Sequence, residues 1–404
     1  MDASAHCSTN RPSEPTLLEL CERALYVGYS GYGGPAVLAH IKKTFVDEKD
    51  WLSERDFMTA LSLAQILPGA TGVSLMGYIG HKLRRPWGGI LLPVCYVLPA
   101  AVLMLAASWA YFRYHNLRLV QSLFAGLGVL VVALLVNATL MLGRSVFKRM
   151  ATPNYKGALI ALSMFAGLYF GHVNVVMLTL TAGVLGLLLY SFSREISGQL
   201  PVASLNAAPR KRHSYWAPLI TLAAIAALCT LVAPWRRLFV TFFNIGTFAF
   251  GGGFAAIPLI QGRVVDLLDW LSLSQFRGGI ALGQITPGPV FITATFIGYK
   301  VLGIAGAAVA TIAIFMPSLA VMIVLSEAHN AVRNLKPVNA VIRGIQAGFI
   351  GLLAAVTAQF AVKSLTEWQS WLIFCVSLAL ILYYKKDVLW LIASTVIVSP
   401  WLFR

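Results

Sequence analysis

The chain contains two copies of one unit, and this duplication constrains its fold more than any other feature. The stretch from Gly33 to Gly69 returns 219 residues later as Gly252 to Gly288, and 16 of the 37 aligned positions are identical without a gap. Both copies keep Gly-Gly and Pro-Gly, which interrupt helices, at matching places inside apolar sequence. A duplicated apolar unit with matching helix breaks is typical of secondary transporters.

Composition places the chain in a membrane. Hydrophobic residues make up 58% of it, charged residues 11%, and the mean hydropathy is +0.76, whereas a soluble domain carries about 25% charge. Apolar runs such as Gly88–Phe112 and Ser122–Leu142 reach the ~20 residues that span a bilayer. The sequence therefore predicts an all-α, polytopic helical bundle. The net charge of +16 is spread over short loops, which indicates topology signals and lipid-headgroup contacts and not nucleic-acid binding.

The apolar segments predict two repeats joined by a linker. A polar N-terminal tail covers residues 1–16, the first transporter repeat 17–192, a polar linker 193–214, an extra transmembrane segment 215–235, and the second repeat 236–404. Each repeat holds six apolar segments, so the expected total is about thirteen. In the first repeat the first to sixth expected segments lie near residues 17–41, 57–80, 87–112, 118–142, 155–171 and 173–192.

The extra segment predicts that the two repeats have opposite orientations. Six crossings return the chain to its starting side, and a seventh places the second repeat upside down relative to the first, as in inverted-repeat transporters. With a cytoplasmic N-terminus and thirteen crossings, 19 Lys and Arg residues lie on the cytoplasmic side and 11 on the other, with Arg23 inside the first segment. This bias favours a cytoplasmic N-terminus. A re-entrant segment would change the count.

The second segment of each repeat predicts a broken helix. Ser53 with Asp56, and Ser272 with Gln275, have the spacing of a capping box, so a helix should begin after each serine. Each helix then meets Pro-Gly about three turns later, where proline removes a backbone donor and glycine permits a turn. We expect the break near mid-membrane depth.

A break at that depth leaves backbone donors that favour an anion. The helix that starts after the break presents unpaired N–H groups and the positive end of its dipole, and such groups are tolerated in a membrane only where they face protein or a cavity. We expect these residues to bind an oxyanion, with side-chain donors one turn away. The candidates in the two copies are Gln65, Pro68, Gly69 and Thr71, and Gln284, Thr286, Pro287 and Gly288.

The first segment of each repeat has its own glycine break, at Gly33 and Gly34 in one copy and at Gly252 and Gly253 in the other. Consecutive glycines weaken a helix, and an inverted pair of repeats would bring all four breaks together at the centre. A structural kink preserved by common ancestry is the alternative interpretation. Arg343, near the start of an apolar segment, is a further candidate ligand for a dianion, although it could equally snorkel to the headgroups.

The remaining reactive residues predict no catalytic centre. The five cysteines and seven histidines are scattered without the spacing of a metal or disulfide site, so we expect no catalytic residues, no metal and no cofactor. No phosphate-binding GxxxxGK[ST] motif occurs, so the chain carries no ATPase of its own.

A set of motifs at and around the breaks is shared with a known family. These motifs are Gly33-Gly34-Pro35, Trp51-Leu52-Ser53, Ala64–Gly69, Pro99, Phe250–Gly253, Ile257-Pro258, Trp270-Leu271-Ser272, Gly283–Pro289, Thr293–Tyr299 and Pro317-Ser318. They resemble those of the chromate ion transporter family, long-chain type with two homologous halves, over residues 17–404, although Ala70-Thr71-Gly72 departs from the family pattern. The resemblance implies inner-membrane transport of chromate in bacteria, most often outward and giving chromate resistance, with sulfate as an overlapping substrate; a homodimer stays open.

Three classes of function stay open on the residues alone. The first is a secondary transporter that exports chromate, the second is an uptake carrier or channel for sulfate or another oxyanion, and the third is a membrane-embedded reductase. The third lacks a cluster of Cys, His or acidic residues that would hold a cofactor. Efflux and uptake use the same physics, so the sequence does not separate the first two.

Overall fold

The structure is a computed structural model in which residues 15–31, 34–147, 155–190, 216–250, 252–332, 336–384 and 388–403 are described. These residues form helices joined by short loops, which confirms the prediction of a polytopic helical membrane protein. Of the helices in these ranges, four are both long and apolar enough to cross a bilayer: Trp87–Tyr114, Arg118–Arg144, Val290–Leu325 and Asn339–Ser364.

The same order of elements occurs in both halves. In the first half the helices are α1 (Leu17–Ser30), α2 (Gly34–Lys42), α3 (Glu54–Ile66), α4 (Thr71–Tyr114), α5 (Arg118–Phe147), α6 (Tyr155–Tyr169) and α7 (Val175–Tyr190). After α8 (Trp216–Leu231), which has no counterpart, the second half contains α9 (Ala233–Phe248), α10 (Ala256–Ile260), α11 (Leu273–Ile285), α12 (Thr293–Val332), α13 (Lys336–Ser364), α14 (Trp368–Leu382) and α15 (Val388–Leu402). The predicted linker lies outside the described residues.

The two capped helices begin where the sequence predicts. The Ser272 hydroxyl accepts the Gln275 N–H at 3.2 Å, and the Gln275 side chain accepts the Ser272 N–H at 3.2 Å. In α3 the Ser53 hydroxyl accepts the Asp56 N–H at 3.2 Å and donates to the Asp56 carboxylate at 2.6 Å. Both caps satisfy backbone donors that a helix start otherwise leaves unpaired.

The loop before each capped helix also has the same geometry in the two halves. Asp50 and Asp269 have φ values of 49° and 50°, a left-handed conformation that aspartate tolerates better than most residues. The next residue donates its N–H back across a π-helical turn, from Trp51 to the Phe45 carbonyl at 3.1 Å and from Trp270 to Val264 at 2.9 Å. In the first half Lys42 also binds Glu54 at 2.7 Å, and this hydrogen bond raises the pKa of Lys42.

Helices α4 and α12 each turn back on themselves. The helical conformation is interrupted at Arg84–Arg85 in α4 and at Leu302–Gly303 in α12. Close contact between Gly80 and Gly88, and between Gly298 and Gly306, leaves no room for a side chain between the limbs. We call residues 71–83 and 86–114 the first and second limbs of α4, and residues 293–301 and 304–332 those of α12.

The Pro-Gly segments are the tips of helical hairpins, which corrects the expectation of one interrupted span at each place. Asp56 in the first turn of α3 forms a salt bridge with Lys82, at the end of the first limb of α4. In the second half, a methyl group built on Gly279 of α11 would lie 2.6 Å from the ring of Phe296 in the first limb of α12. The two helices on either side of each tip are therefore antiparallel neighbours, because the glycine at the tip reverses the chain.

The glycine breaks after α1 and α9 bend the chain in a similar way. In the first half the ring of His40 on α2 lies 5.5 Å from that of Tyr26 on α1, and its Nε2 is 2.8 Å from the Ser30 hydroxyl. In the second half α9 and α10 flank a cavity that is described below with the site. Each half therefore begins with a bend, between α1 and α2 or between α9 and α10, which is followed by the hairpin at the Pro-Gly segment.

Helices of one half pack against helices of the other. Gly186 of α7 contacts Gly344 of α13, and Gly348 contacts Ala182 one turn earlier, so α7 and α13 run antiparallel. The Ser122 hydroxyl at the start of α5 donates to the Phe403 carbonyl after α15 at 2.7 Å, and α5 and α15 are antiparallel as well. The later helices of the two halves are thus interleaved around one core.

Candidate functional site

The hairpin tips meet the bends of the opposite half. The Gly69 N–H donates to the Ala249 carbonyl at the end of α9 at 2.8 Å, and the Gly288 N–H donates to the Gly31 carbonyl at the end of α1 at 2.9 Å. These two hydrogen bonds are equivalent in the two halves. The breaks in the two copies therefore lie in contact, and each tip is completed by the other copy.

The tip glycines cannot be replaced without strain. Gly69 and Gly288 have φ values of 96° and 103°, which L-residues with side chains rarely adopt. A methyl group on Gly69 would lie 2.6 Å from Cβ of Ser318, and one on Gly288 would lie 2.8 Å from Cβ of Ala100. Ser318 and Ala100 lie on the second limb of the opposite half, so both tips fit closely against it. The prolines before them, Pro68 and Pro287, are buried.

The N–H groups of Gly69 and Gly288 already donate to backbone carbonyls. Backbone N–H groups that could bind a ligand therefore lie further along the chain. Helix α4 starts at Thr71, and the first N–H groups of a helix have no intrahelical acceptor. The Tyr96 hydroxyl points at this turn, since a methyl group on Gly72 would lie 3.0 Å from it. The Ser74 hydroxyl is fully buried and has no hydrogen-bond partner within the described residues.

The two predicted glutamines differ in their surroundings. Nε2 of Gln284 is buried and, within the described ranges, has no hydrogen-bond acceptor, whereas Gln65 is exposed. Gly283, beside Gln284, lies close to Thr293 in the first limb of α12, so the amide belongs to the hairpin near its tip. The Thr286 hydroxyl donates to the Leu282 carbonyl at 3.1 Å, so its proton serves the helix end.

The glycines of the bends are partly described. Gly33 lies outside the described residues, and Gly34 begins α2. Gly252 has a φ value of 93°, and a methyl group there would meet nothing within 4 Å. A methyl group on Gly253 would lie 3.0 Å from Cβ of Val290, so this bend touches the hairpin tip of its own half.

Arg343 lies apart from these contacts. It is in the second turn of α13 and partly exposed. Among the described residues it forms no hydrogen bond or salt bridge, and no contact brings it to a tip. Its predicted role as a ligand therefore stays a prediction.

Two cavities have lining residues at or next to the bend between α9 and α10. One, of about 320 Å³, has polar residues in its lining and reaches Ile245 and Phe248. The other, of about 730 Å³, is lined only by apolar residues and reaches Leu67, Pro68 and Phe250. Ala249, which accepts the Gly69 N–H, lies in sequence between Phe248 of the first lining and Phe250 of the second.

Sequence reasoning missed Tyr96, Ser74 and the polar cavity. Tyr96 aligns with Ile314 in the second half when the two glycine contacts, Gly28 to Tyr96 and Gly246 to Ile314, are matched. A comparison of the repeats therefore gives no signal for the tyrosine. The cavity joins residues from α7, α9 and the segment after α10, which no local pattern connects.

The comparisons with known proteins decide the family. The model of the chromate transporter family matches residues 18–187 and 236–399, one match in each half. The chain belongs to this family. It is therefore a multi-pass membrane transport protein and not an enzyme, and its family supports a role in chromate transport.

Relatives of this transporter family member extend over nearly its whole length. An uncharacterized transporter from Methanocaldococcus jannaschii is 30% identical over 96% of this chain and 94% of its own. The chromate transport protein of Cupriavidus metallidurans is 32% identical over 95% and 92%, and the probable chromate transport protein of Synechococcus elongatus is 29% identical over 90% and 89%. No solved structure matches the chain.

Proposed function

We propose that the protein exports chromate across the inner membrane of a bacterium, and that the dianion binds at the hairpin tips. The observation that carries the proposal is the buried Nε2 of Gln284, which has no acceptor in the described part of the chain although it lies one turn before a tip. A buried donor without a partner costs about 1–3 kcal/mol, and an oxyanion oxygen would supply the missing acceptor.

The groups around the first-half tip support the same substrate chemistry. The first turn of α4, the Ser74 hydroxyl and the Tyr96 hydroxyl offer donors, and the first turn of a helix favours negative charge. A tetrahedral dianion has four oxygens that can accept from such donors. The remaining candidates, Gln65, Thr71 and Arg343, stay part of this proposal.

The hairpins suggest a membrane topology with nine crossings and four re-entrant segments in place of thirteen crossings. Each hairpin or bend returns the chain to the face from which it entered, so α1 to the first limb of α4 stay on the N-terminal face. The second limbs of α4 and α12, together with α5–α8 and α13–α15, cross the membrane. Of the 31 Lys and Arg residues, nine then lie on the opposite face and 22 on the N-terminal face; the nine are Arg113, Arg118, Arg236, Arg237, Arg263, Arg277, Lys300, Lys363 and Arg404.

This distribution favours a cytoplasmic N-terminus more strongly than the thirteen-crossing count does. With an odd number of crossings before α9, the second half enters from the face opposite to the first. The antiparallel contacts of α7 with α13 and of α5 with α15 support the inverted orientation. Inverted halves would present equivalent tips to the two faces in turn, which is the arrangement that alternating access requires.

Chromate flux in oriented membrane vesicles tests the proposal. We expect wild-type vesicles to move radiolabelled chromate. The rate in the Gln284→Ala variant should be lower by a factor of about ten or more, which corresponds to about 1.4 kcal/mol. Gln369→Ala is the matched control, because Gln369 also has a buried amide atom without a partner but lies at the start of α14. Equal flux in the Gln284 variant and in the control would remove the tips as the site.

The same vesicles separate the alternatives of direction and substrate. Inside-out vesicles should accumulate chromate, and collapse of the proton gradient should stop the accumulation if protons drive it. Sulfate in excess should compete, because it shares the shape and charge of chromate. Accumulation of sulfate in right-side-out vesicles, without chromate movement, would favour the oxyanion uptake carrier instead.

A further inference from the structure

A polar cavity lies between α9 and α10 in the second half. Its volume is about 320 Å³, within the lower part of the range of small-molecule sites, and it contains polar groups of Asn174, Asn244 and Arg263. In the described part of the first half, His40 of α2 contacts Tyr26 and Ser30 of α1. The gapless alignment of the repeats places Leu259, another lining residue, at the position of His40. The second half thus has an aliphatic side chain beside a polar cavity where the first half has an imidazole in contact with α1.

Asn174 and Arg263 present donors to this cavity, whereas the Thr241 hydroxyl in its lining donates to the Arg237 carbonyl at 2.8 Å and can only accept. Oδ1 of Asn174 accepts the Val176 N–H at 2.9 Å, which leaves the amide Nδ2 of Asn174 to donate. The guanidinium of Arg263 carries five N–H groups. Within the described ranges Arg263 has no salt bridge, not even with Asp266 three residues later. An uncompensated cation beside amide donors favours a negatively charged occupant.

The cavity leads to the proposed transport site. Its lining includes Ile245 and Phe248 near the end of α9. The residue after Phe248 is Ala249, whose carbonyl accepts the N–H of the first-half tip glycine, Gly69, at 2.8 Å. An ion in the cavity would therefore be close to the tip without reaching its donors.

We infer that this cavity is a second binding site for the tetrahedral dianion, on the face opposite the N-terminus, with Arg263 as the counter-charge and the amides of Asn174 and Asn244 as hydrogen-bond partners. The inference rests on the proposed function, because it assigns the same class of substrate to the outer end of the path. Arg263 binds the ion before or after it occupies the tips.

Labelling of a single introduced cysteine tests the site directly. Met177 lines the cavity and is 62% exposed, so Met177→Cys should react with a membrane-impermeant maleimide in right-side-out vesicles. Wild-type vesicles, which carry only the native cysteines, give the background. Sulfate is the probe, because chromate oxidises thiols. We expect sulfate to slow the labelling of Met177→Cys in a saturable way.

The charge of Arg263 should set the sulfate concentration that gives half-maximal protection. In Met177→Cys with Arg263→Gln this concentration should rise about tenfold or more, and Arg263→Lys, which keeps the charge, should recover part of the loss. Lys300→Gln, which removes a cation from the same face outside the cavity lining, should leave protection unchanged. Equal protection with and without the Arg263→Gln substitution, or no labelling from this face, would overturn the inference.

The result is independent of the outcome at the tips. If wild-type vesicles move no chromate but sulfate protects Met177→Cys in an Arg263-dependent way, the cavity site stands and the proposed function fails. If chromate moves and Arg263→Gln alters neither protection nor the substrate concentration for half-maximal flux, the proposed function stands and the cavity site fails.

Discussion

At the scale of single residues, three glycines have similar positive φ values but different neighbours. Gly69 and Gly288 are pressed against the opposite half, while a methyl group on Gly252 would meet open space. Replacing Gly252 or Gly288 by alanine would therefore distinguish the cost of backbone strain from the cost of steric overlap. This distinction matters because, of these three glycines, only Gly69 and Gly288 contact the opposite half.

We expect Gly252→Ala to lower the free energy of unfolding by about 1–3 kcal/mol, because its φ of 93° and ψ of −171° lie in a region nearly restricted to glycine. Gly288→Ala adds overlap with Ala100, which costs typically about 1–3 kcal/mol more. Thermal unfolding of the detergent-solubilised protein should therefore rank wild type above Gly252→Ala and Gly252→Ala above Gly288→Ala. Equal losses in the two variants would contradict the close contact at the tip.

Residues at the breaks were predictable to different degrees. The Ser53 and Ser272 caps and the Pro-Gly breaks follow from local spacing, and the structure has them where expected. The partner of Gly69 was not predictable, because Ala249 contributes only a backbone carbonyl, and a backbone acceptor leaves no trace in side-chain identity. Tyr96 was missed for the related reason that only one half contains it.

At the scale of elements, the direction of the chain after each Pro-Gly break was the feature that the sequence did not determine. Proline and glycine fix where a helix ends, but a straight interruption and a reversal use the same residues. The Asp56–Lys82 salt bridge and the contact of Gly279 with Phe296 identify reversals. The expected segment 57–80 and its counterpart in the second repeat are therefore hairpins.

Accessibility from the two faces distinguishes a hairpin from a crossing. Arg55 and Arg85, both exposed, lie before and after the first hairpin, so Arg55→Cys and Arg85→Cys should react with an impermeant reagent from the same face. Tyr114→Cys, at the end of the second limb of α4, should react from the other face. Reaction of the Arg55 and Arg85 variants from opposite faces would restore the thirteen-crossing topology.

At the scale of the whole molecule, the two halves are held together by more than their linker. Helix α13 packs on α7 through Gly344 and Gly186, and α5 packs on α15 through Gly126 and Ser399. Such close helix contacts at small residues are a main source of association in membranes. The overall pairing could be expected from the duplication, whereas the choice of partner helices could not.

A cut between the halves should therefore leave the protein assembled. With a protease site inserted after residue 200, in the predicted linker, we expect the two fragments to copurify in mild detergent after cleavage. Gly344→Leu should separate them, because a side chain there collides with the α7 backbone. Gly128→Leu is the matched control on α5, since a methyl group on Gly128 meets nothing within 4 Å. Separation of the cleaved wild-type fragments, or copurification with Gly344→Leu, would contradict the interleaved packing.

The exchange of hydrogen bonds between tips and bends also dictates an order of events during biosynthesis. The acceptor of Gly69 is Ala249, 180 residues later in the chain, and ribosomes add about 5–20 residues per second. The first hairpin must therefore wait on the order of ten to forty seconds after its synthesis before its tip is satisfied. During that interval the Gly69 N–H lacks its native acceptor and must bind water or another protein. The nascent first half is therefore exposed to cellular quality control until the second half has been made.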